Sequence, residues 1–291
     1  MTAPVITPLR TRGPAPRVLT IDAEEWFHVC GDDYYSDPRR WDSFAPRFEN
    51  TFGWILDRLE RGRHRATIFV LGWIAERYPA LIREAGRRGH EIALHGDTHR
   101  RADQLSEEEF RTDLVRGRAK VESAAGSRPT LYRAAEWSIR SPQDRALAIL
   151  AAEGFTADAS MTAMPPLGRA DNPLGPHRIE MQEGSLVEVP PLTGRGFGRR
   201  IPAGGSWAFR LLAPARLSSF ENLYRNRGHP AIFTFHPWEF DPDHPPMEGL
   251  APLVRLTHFA RRRLLPERFE TWLGQERCVA LGDVLPELEA A

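Results

Sequence analysis

The sequence has little cysteine and no long hydrophobic run. Its 291 residues include 2 cysteines, Cys30 and Cys278, which lie far apart and form neither a CxxC pair nor a disulfide framework. No segment approaches the roughly 18 consecutive apolar residues of a membrane helix, and residues 1–17 lack the apolar core of a signal peptide. We therefore expect a cytoplasmic protein in a reducing compartment, without an integral membrane segment.

The sequence also has no net charge and almost no lysine. Lys+Arg and Asp+Glu both number 39, so no overall field attracts nucleic acid or an anionic membrane, and a neutral or mixed substrate fits better. Lys120 is the only lysine and no GK[ST] phosphate loop occurs, which argues against nucleotide chemistry of that type. Serine-hydrolase chemistry is disfavoured as well, because no GxSxG turn is present.

A regular alternation of strand and helix patterns runs through the chain. Apolar runs typical of buried strands lie at residues 18–21, 67–71, 92–94, 130–132, 155–157, 186–189, 231–235 and 278–281. Helical patterns separate many of them, including one that Ser106 and Glu109 open with a capping box. The alternation predicts an α/β protein with parallel strands, an irregular (β/α) barrel of about seven to eight strands. We expect one barrel domain over residues 17–291, with a C-terminal helical extension, after a flexible N-terminal arm at residues 1–16.

Two histidines directly follow the predicted strand at 92–94. His95 and His99 are four residues apart, so both imidazoles can converge on one ion if the segment enters a helix. Their place at the carboxyl end of a strand is where barrel active sites are built. The alternative is a pair of ordinary surface or core histidines.

Three carboxylates cluster at the end of the first predicted strand. In an extended chain Asp22 and Glu24 point to one side and Glu25 to the other. Unpaired charge does not fit inside a parallel strand, so these groups must lie at its mouth or be paired. Asp22 and Glu24 could supply one metal ligand and one base, and the alternative is a solvated acidic turn.

Further candidates lie at the ends of two other strands. His236 could be a third ligand, a general acid or a structural histidine, and Arg133 could pair with a carboxylate through two hydrogen bonds. Three tryptophans stand beside these motifs, where each could stack on a sugar ring or pack the barrel rim: Trp26, Trp137 and Trp238.

Taken in order, these segments resemble the polysaccharide deacetylase superfamily, the NodB-homology carbohydrate esterases. The similarity covers residues 18–236. It implies an aspartate base, three metal ligands, an arginine that orients the base and a histidine that acts as general acid. The matching residues are Asp22 as base, Glu24, His95 and His99 as ligands, Arg133 as the orienting group and His236 as the acid.

The tail of the chain narrows the resemblance. The sequence HPWEFDP, which begins at His236, and the arginine-rich helix near residue 258 look like the exosortase-associated (PEP-CTERM) subgroup, which is linked to bacterial exopolysaccharide biosynthesis. The C-terminal extension is then specific to that subgroup. Three departures from the superfamily pattern are present. Aspartate is more usual at Glu24 and proline at Ala135, and Asp97 and Thr98 replace the more usual residues between the two histidines.

The resemblance implies a metal-dependent hydrolase that removes N-acetyl groups from amino sugars of a bacterial polysaccharide or oligosaccharide. Its expected cofactor is one divalent ion, with Zn²⁺ preferred and Co, Mn, Ni or Fe as alternatives. Two other functions stay open: a non-catalytic carbohydrate-binding protein with the same fold, and a non-haem iron oxygenase, because two histidines and a carboxylate also suit Fe(II).

Overall fold

Strands and helices alternate through the computed structural model, which describes residues 3–29, 32, 34–196 and 198–291. The strands are β1 (Val5–Arg10), β2 (Arg17–Ala23), β3 (Thr67–Val70), β4 (Glu91–Leu94), β5 (Leu131–Tyr132), β6 (Ala157–Asp158), β7 (His177–Met181), β8 (Gly184–Glu188), β9 (Thr193–Gly196), β10 (Arg199–Pro202), β11 (Ala231–Phe235) and β12 (Glu289–Ala290). The α-helices are α1 (Phe48–Arg61), α2 (Gly72–Arg77), α3 (Pro79–Arg87), α4 (Glu107–Ala125), α5 (Arg145–Ala152), α6 (Ser206–Leu211), α7 (Pro214–Arg225), α8 (Pro252–Phe259), α9 (Leu265–Leu273) and α10 (Leu281–Val284). Short 3₁₀ helices include Ala135–Trp137 after β5 and Pro237–Phe240 after β11.

One large sheet carries the fold. Its strand order is β11-β2-β3-β4-β5-β6-β8-β7-β1-β12. The strands from β11 to β8 pair in parallel, whereas β7, β1 and β12 continue the sheet with antiparallel pairs. Every residue of β2 is buried, as expected of a parallel strand covered on both faces. The parallel strands therefore direct all their carboxyl ends toward one edge of the sheet.

The α/β architecture predicted from the alternation is confirmed. The closed barrel of seven to eight strands is not: in the described part of the chain no pairing joins the end strands β11 and β12, and the sheet has ten strands. The prediction of a flexible arm over residues 1–16 is wrong for Val5–Arg10, because these residues form strand β1. This strand pairs with β7 and β12, which are far away in sequence, so the local pattern could not reveal its partners.

Helix α4 shows how local sequence sets an element of the fold. The Ser106 hydroxyl accepts a hydrogen bond from the Glu109 amide, and the Glu109 carboxylate accepts one from the Ser106 amide, which completes the predicted capping box. Gly126 ends the helix with a left-handed φ of 78°. No helix in the described residues has the length and apolar character needed to cross a membrane.

A glycine lets α4 approach the loop that follows β4. A Cβ atom on Gly117 would lie 2.8 Å from the carbonyl carbon and oxygen of Gly96 and 2.9 Å from the Asp97 nitrogen. These backbone atoms lie between His95 and His99. Since real Cβ atoms do not approach backbone so closely, Gly117 is required for the position of the two histidines.

We predict that Gly117→Ala destabilises the protein by about 1–3 kcal/mol, because the added methyl group forces α4 and the histidine loop apart. The control is Gly53→Ala in α1, where a Cβ atom meets nothing within 4 Å. That change should leave stability equal or raise it by up to about 1 kcal/mol. Denaturant unfolding of both variants checks this, and equal stability of the two would contradict the packing role of Gly117.

Candidate active site

Six polar side chains meet at the carboxyl edge of the parallel strands. They are Asp22 and Glu24 at the end of β2, His95 and His99 after β4, Arg133 after β5 and His236 after β11. All are buried except His236, whose side chain is 25% exposed. The structure thus brings together all six residues for which the sequence suggested a role at a metal or catalytic centre.

Glu24 and the two histidines of the β4 loop form one compact group. Glu24 Oε1 lies 2.9 Å from His95 Nε2 and 3.0 Å from His99 Nε2. Burial alone would raise the pKa of Glu24, but the positive charges of His99 and His236 and hydrogen bonds from the histidines hold it well below its usual range. The carboxyl group is therefore available as an anionic ligand.

The hydrogen bonds of this group fit a bound cation. His95 Nδ1 lies 2.8 Å from the Arg133 carbonyl oxygen, which can only accept, so Nδ1 carries the proton. With Nδ1 protonated, His95 Nε2 donates to the Glu24 oxygen only as an imidazolium, and in the neutral ring the lone pair of Nε2 faces that oxygen, an arrangement that a metal ion between them would stabilise. Two imidazole nitrogens and one carboxylate oxygen are a donor set suited to a divalent ion such as Zn²⁺.

Arg133 fixes Asp22 beside this group. Its Nη1 donates to Asp22 Oδ1 at 2.6 Å and to Thr20 Oγ1 at 2.9 Å. Its Nε donates to the Ala159 carbonyl oxygen at 3.2 Å, and the guanidinium lies 4.1 Å from the centroid of the Phe69 ring. Because the Arg133 side chain is held on several sides, it orients one oxygen of Asp22 and leaves the other free.

A pair of buried carboxyl groups holds the backbone beside Arg133 in place. Asp158 on β6 and Glu188 on β8 are register partners, and each keeps one oxygen without a hydrogen-bond partner in the described chain. Burial raises the pKa of both groups, so a proton shared between the two free oxygens satisfies the pair. Asp158 Oδ1 accepts from Ser160 Oγ, which accepts from the Ala134 amide. The pair thus anchors the backbone next to Arg133. The sequence pattern does not reveal this pair, because Asp158 and Glu188 meet only through the register of β6 and β8.

His236 faces Asp22 across the site and is held by Glu239. The Glu239 carboxylate accepts from the His236 amide at 2.9 Å and lies 3.2 Å from Nδ1, and it also accepts from the Ser206 hydroxyl. His236 Nε2 lies 3.8 Å from Asp22 Oδ2. Burial alone would lower the pKa of His236, but the carboxylates of Glu24, Glu239 and Asp22 raise it to about 10. Glu239 was missed in the sequence, although its position three residues after His236 is a usable signal.

The third carboxylate of the β2 segment has a different role. Glu25 accepts hydrogen bonds from the backbone amides of Arg47 and Phe48, at the start of α1, and from the Tyr78 hydroxyl. Burial raises its pKa, and these hydrogen bonds oppose the rise. Glu25 therefore stabilises α1 and points away from the site, as the alternation along β2 predicts.

The three tryptophans proposed to stack on a sugar differ in access. Trp26 is only 4% exposed and its Nε1 donates to the Ala45 carbonyl oxygen. It packs among other aromatic rings, so the stacking prediction is wrong for this residue. Trp137 and Trp238 are half-buried, and the Trp238 ring already stacks on His258 with centroids 4.2 Å apart. Sugar contact by these two stays a proposal.

Two family models match consecutive parts of the chain. Residues 41–157 match the polysaccharide deacetylase model. This part of the chain is therefore similar to a polysaccharide deacetylase domain. Residues 159–285 match DUF3473, a domain of unknown function. The deacetylase match includes His95, His99 and Arg133, whereas His236 lies in the second match.

Two curated relatives are similar to a short part of the chain. A peptidoglycan-N-acetylglucosamine deacetylase of Bacillus cereus is 30% identical over 79 residues, which are 27% of this chain and 29% of that protein. The peptidoglycan-N-acetylmuramic acid deacetylase PdaC of Bacillus subtilis is 33% identical over 79 residues, 27% of this chain and 17% of that protein. The chain therefore spans less than a third of these two curated relatives.

A solved structure shares the fold. It is that of a Mycobacterium smegmatis protein assigned as a polysaccharide deacetylase, with a TM-score of 0.59 and 21% identity over 94% of this chain and 93% of that chain. At this identity the similarity shows the architecture alone. The α/β arrangement of this chain therefore has an experimental counterpart.

We predict that metal-free protein binds one equivalent of Zn²⁺ and that His95→Ala and His99→Ala each abolish this stoichiometric binding, because each removes one of three converging ligands. The matched control is His229→Ala, since His229 precedes β11 and lies at the opposite end of that strand from His236. Elemental analysis after gel filtration provides the measurement. Full zinc content in both site variants would refute the ligand assignment.

Proposed function

We propose that this chain is a metal-dependent N-deacetylase of amino sugars in a bacterial polysaccharide or oligosaccharide, acting in exopolysaccharide biosynthesis. The observation that carries the proposal is that Asp22 and His236 both lie beside the Glu24–His95–His99 group, with His236 Nε2 3.8 Å from Asp22 Oδ2. Hydrolysis of an amide needs a base for water and an acid for the leaving nitrogen. The exopolysaccharide role rests on the resemblance of the tail that begins at His236.

Asp22 is the proposed base. Arg133 occupies its Oδ1, so Oδ2 is left to accept a proton from the water that attacks the acetamide carbon. The contact with Arg133 holds the carboxylate in the orientation that this step needs. A divalent ion held by Glu24, His95 and His99 would supply a Lewis acid that polarises the amide carbonyl.

His236 is the proposed general acid. Glu239 contacts its Nδ1 and thereby directs Nε2 toward Asp22 and the reacting centre. The amine is a poor leaving group unless it is protonated, and Nε2 is placed to donate that proton. Acid and base are then separate residues, each oriented by its own charged partner.

The two alternative functions, carbohydrate binding without catalysis and Fe(II) oxygenation, each leave some of the site residues without a role. A carbohydrate-binding protein without activity has no use for Asp22 and His236 with their orienting partners Arg133 and Glu239. An Fe(II) oxygenase could use the same three ligands. It would leave the general acid without a role, and the deacetylase match of residues 41–157 favours a hydrolase.

We predict that purified protein releases acetate from an N-acetylglucosamine tetramer and that a chelator stops the release. Asp22→Asn should keep one equivalent of metal but lower kcat by about 100-fold or more, because it removes the base and no ligand. Acetate release and metal content are measured on the same samples. Loss of metal together with activity would make Asp22 a ligand, and absence of acetate release from wild type would favour the non-catalytic protein.

We predict that His236→Gln lowers kcat strongly for the amide and much less for an activated acetyl ester, whose leaving group needs no proton. The variant should keep its metal, which controls for damage to the site. Parallel assays with the tetramer and 4-nitrophenyl acetate separate the two effects. An equal loss on both substrates would contradict the role of His236 as acid.

A further inference from the structure

A cavity of about 870 Å³ opens beside the short helix that follows His236. It begins at Glu239 and Phe240 of that helix and extends to α8 and the segment after it. Four arginines contribute to its lining: Arg255, Arg261, Arg262 and Arg263. Nothing in the proposed deacetylation uses these four side chains.

The acidic groups of this cavity are largely neutralised by other partners. Glu239 is bound by His236 and Ser206, and Asp241 accepts two hydrogen bonds from Arg47, at 2.7 and 2.9 Å. The Asp243 side chain is 82% exposed. Among the described residues no carboxylate forms an ion pair with any of the four arginines, so the lining carries an excess of positive charge.

Arg262 is the most constrained of the four. Its Nη1 is buried and has no hydrogen-bond partner within the described chain, and its guanidinium lies 5.5 Å from the centroid of the Phe259 ring. Burial lowers the pKa of Arg262 to about 10. A buried cationic N–H without an acceptor is costly, and an anionic oxygen in the cavity would satisfy it.

The backbone carbonyl groups nearest the arginines are already hydrogen-bonded, so they do not repel an anion in the cavity. Arg210 is 2% exposed and donates to the carbonyl oxygens of Thr257, His258 and Ala260 at the end of α8. These carbonyls would otherwise leave partial negative charge beside the cavity. Arg261 has a left-handed φ of 51°, which turns the chain directly after the helix and begins the run of three arginines.

We infer that this cavity binds a carboxylate or phosphate group of the glycan, so that the substrate is an anionic amino-sugar polymer. The inference rests on the proposed deacetylase function. The half-buried Phe259 ring supplies apolar surface of the kind that sugar rings pack against. One short helix carries both the cavity residue Glu239 and its contact to His236, so the acidic sugar unit is expected close to the unit that is deacetylated.

The test compares two tetrasaccharides of equal length. One consists of N-acetylglucosamine alone, and the other alternates N-acetylglucosamine with glucuronate. Arg262→Gln and Arg255→Gln should raise KM for the anionic tetrasaccharide by about tenfold or more each and leave its kcat unchanged. Neither variant should alter KM for the neutral tetrasaccharide. The control is Arg116→Gln, an exposed arginine of α4, which should alter neither KM.

Binding measurements separate this inference from the proposed function. Calorimetric titration of wild type and Arg262→Gln with glucuronate and with inorganic phosphate identifies which anion the cavity prefers. Arg262-dependent binding of the anionic tetrasaccharide without acetate release would support the cavity and refute the deacetylase. Equal affinity of wild type for both tetrasaccharides, with no effect of either cavity variant, would overturn the inference even if both are deacetylated.

Discussion

The buried contact between Arg133 and Asp22 holds the site together. From its place after β5, Arg133 donates to Asp22 and Thr20 of β2 and to the carbonyl of Ala159 after β6, while its own carbonyl accepts from His95 after β4. One residue therefore links the ends of four strands. Removing its guanidinium would leave Asp22 as an uncompensated buried charge, a change that typically costs about 3–5 kcal/mol. The proposed base and one proposed metal ligand thus depend on the same side chain and backbone.

The sequence predicted the clustered residues because each lies at or just beyond the end of a strand in the parallel set. Carboxyl ends of parallel strands meet at one edge, so position relative to the strand was enough to bring His95, Arg133 and His236 near Asp22. The two-residue period of an extended chain also predicted correctly that Asp22 and Glu24 point into the site and that Glu25 points away from it. The metal identity does not follow from these positions, because the same ligands suit several divalent ions.

Contacts between distant segments could not be predicted in this way. Asp158 and Glu188 become partners only through the register of β6 and β8, and β1 finds its partners far along the chain. Trp26 follows a strand just as the catalytic candidates do, yet the surrounding aromatic residues bury it. The balanced net charge likewise concealed four arginines around one cavity that form no ion pair with a carboxylate of the described chain, since a sum over the chain carries no information about where charges lie.

The candidate site draws residues from both matched regions and from the segment that precedes them. The proposed acid His236 lies in the region 159–285 of unknown function, whereas the base Asp22 precedes the deacetylase match at 41–157. Strand β11, from the region of unknown function, pairs directly with β2 and thereby sets His236 opposite Asp22. Without that region the proposed site would lack its acid, and the backbone of β2 would be exposed as an open edge. The region 159–285 is therefore part of the proposed catalytic unit, and because the arginine-lined cavity also belongs to it, the same region can select the substrate.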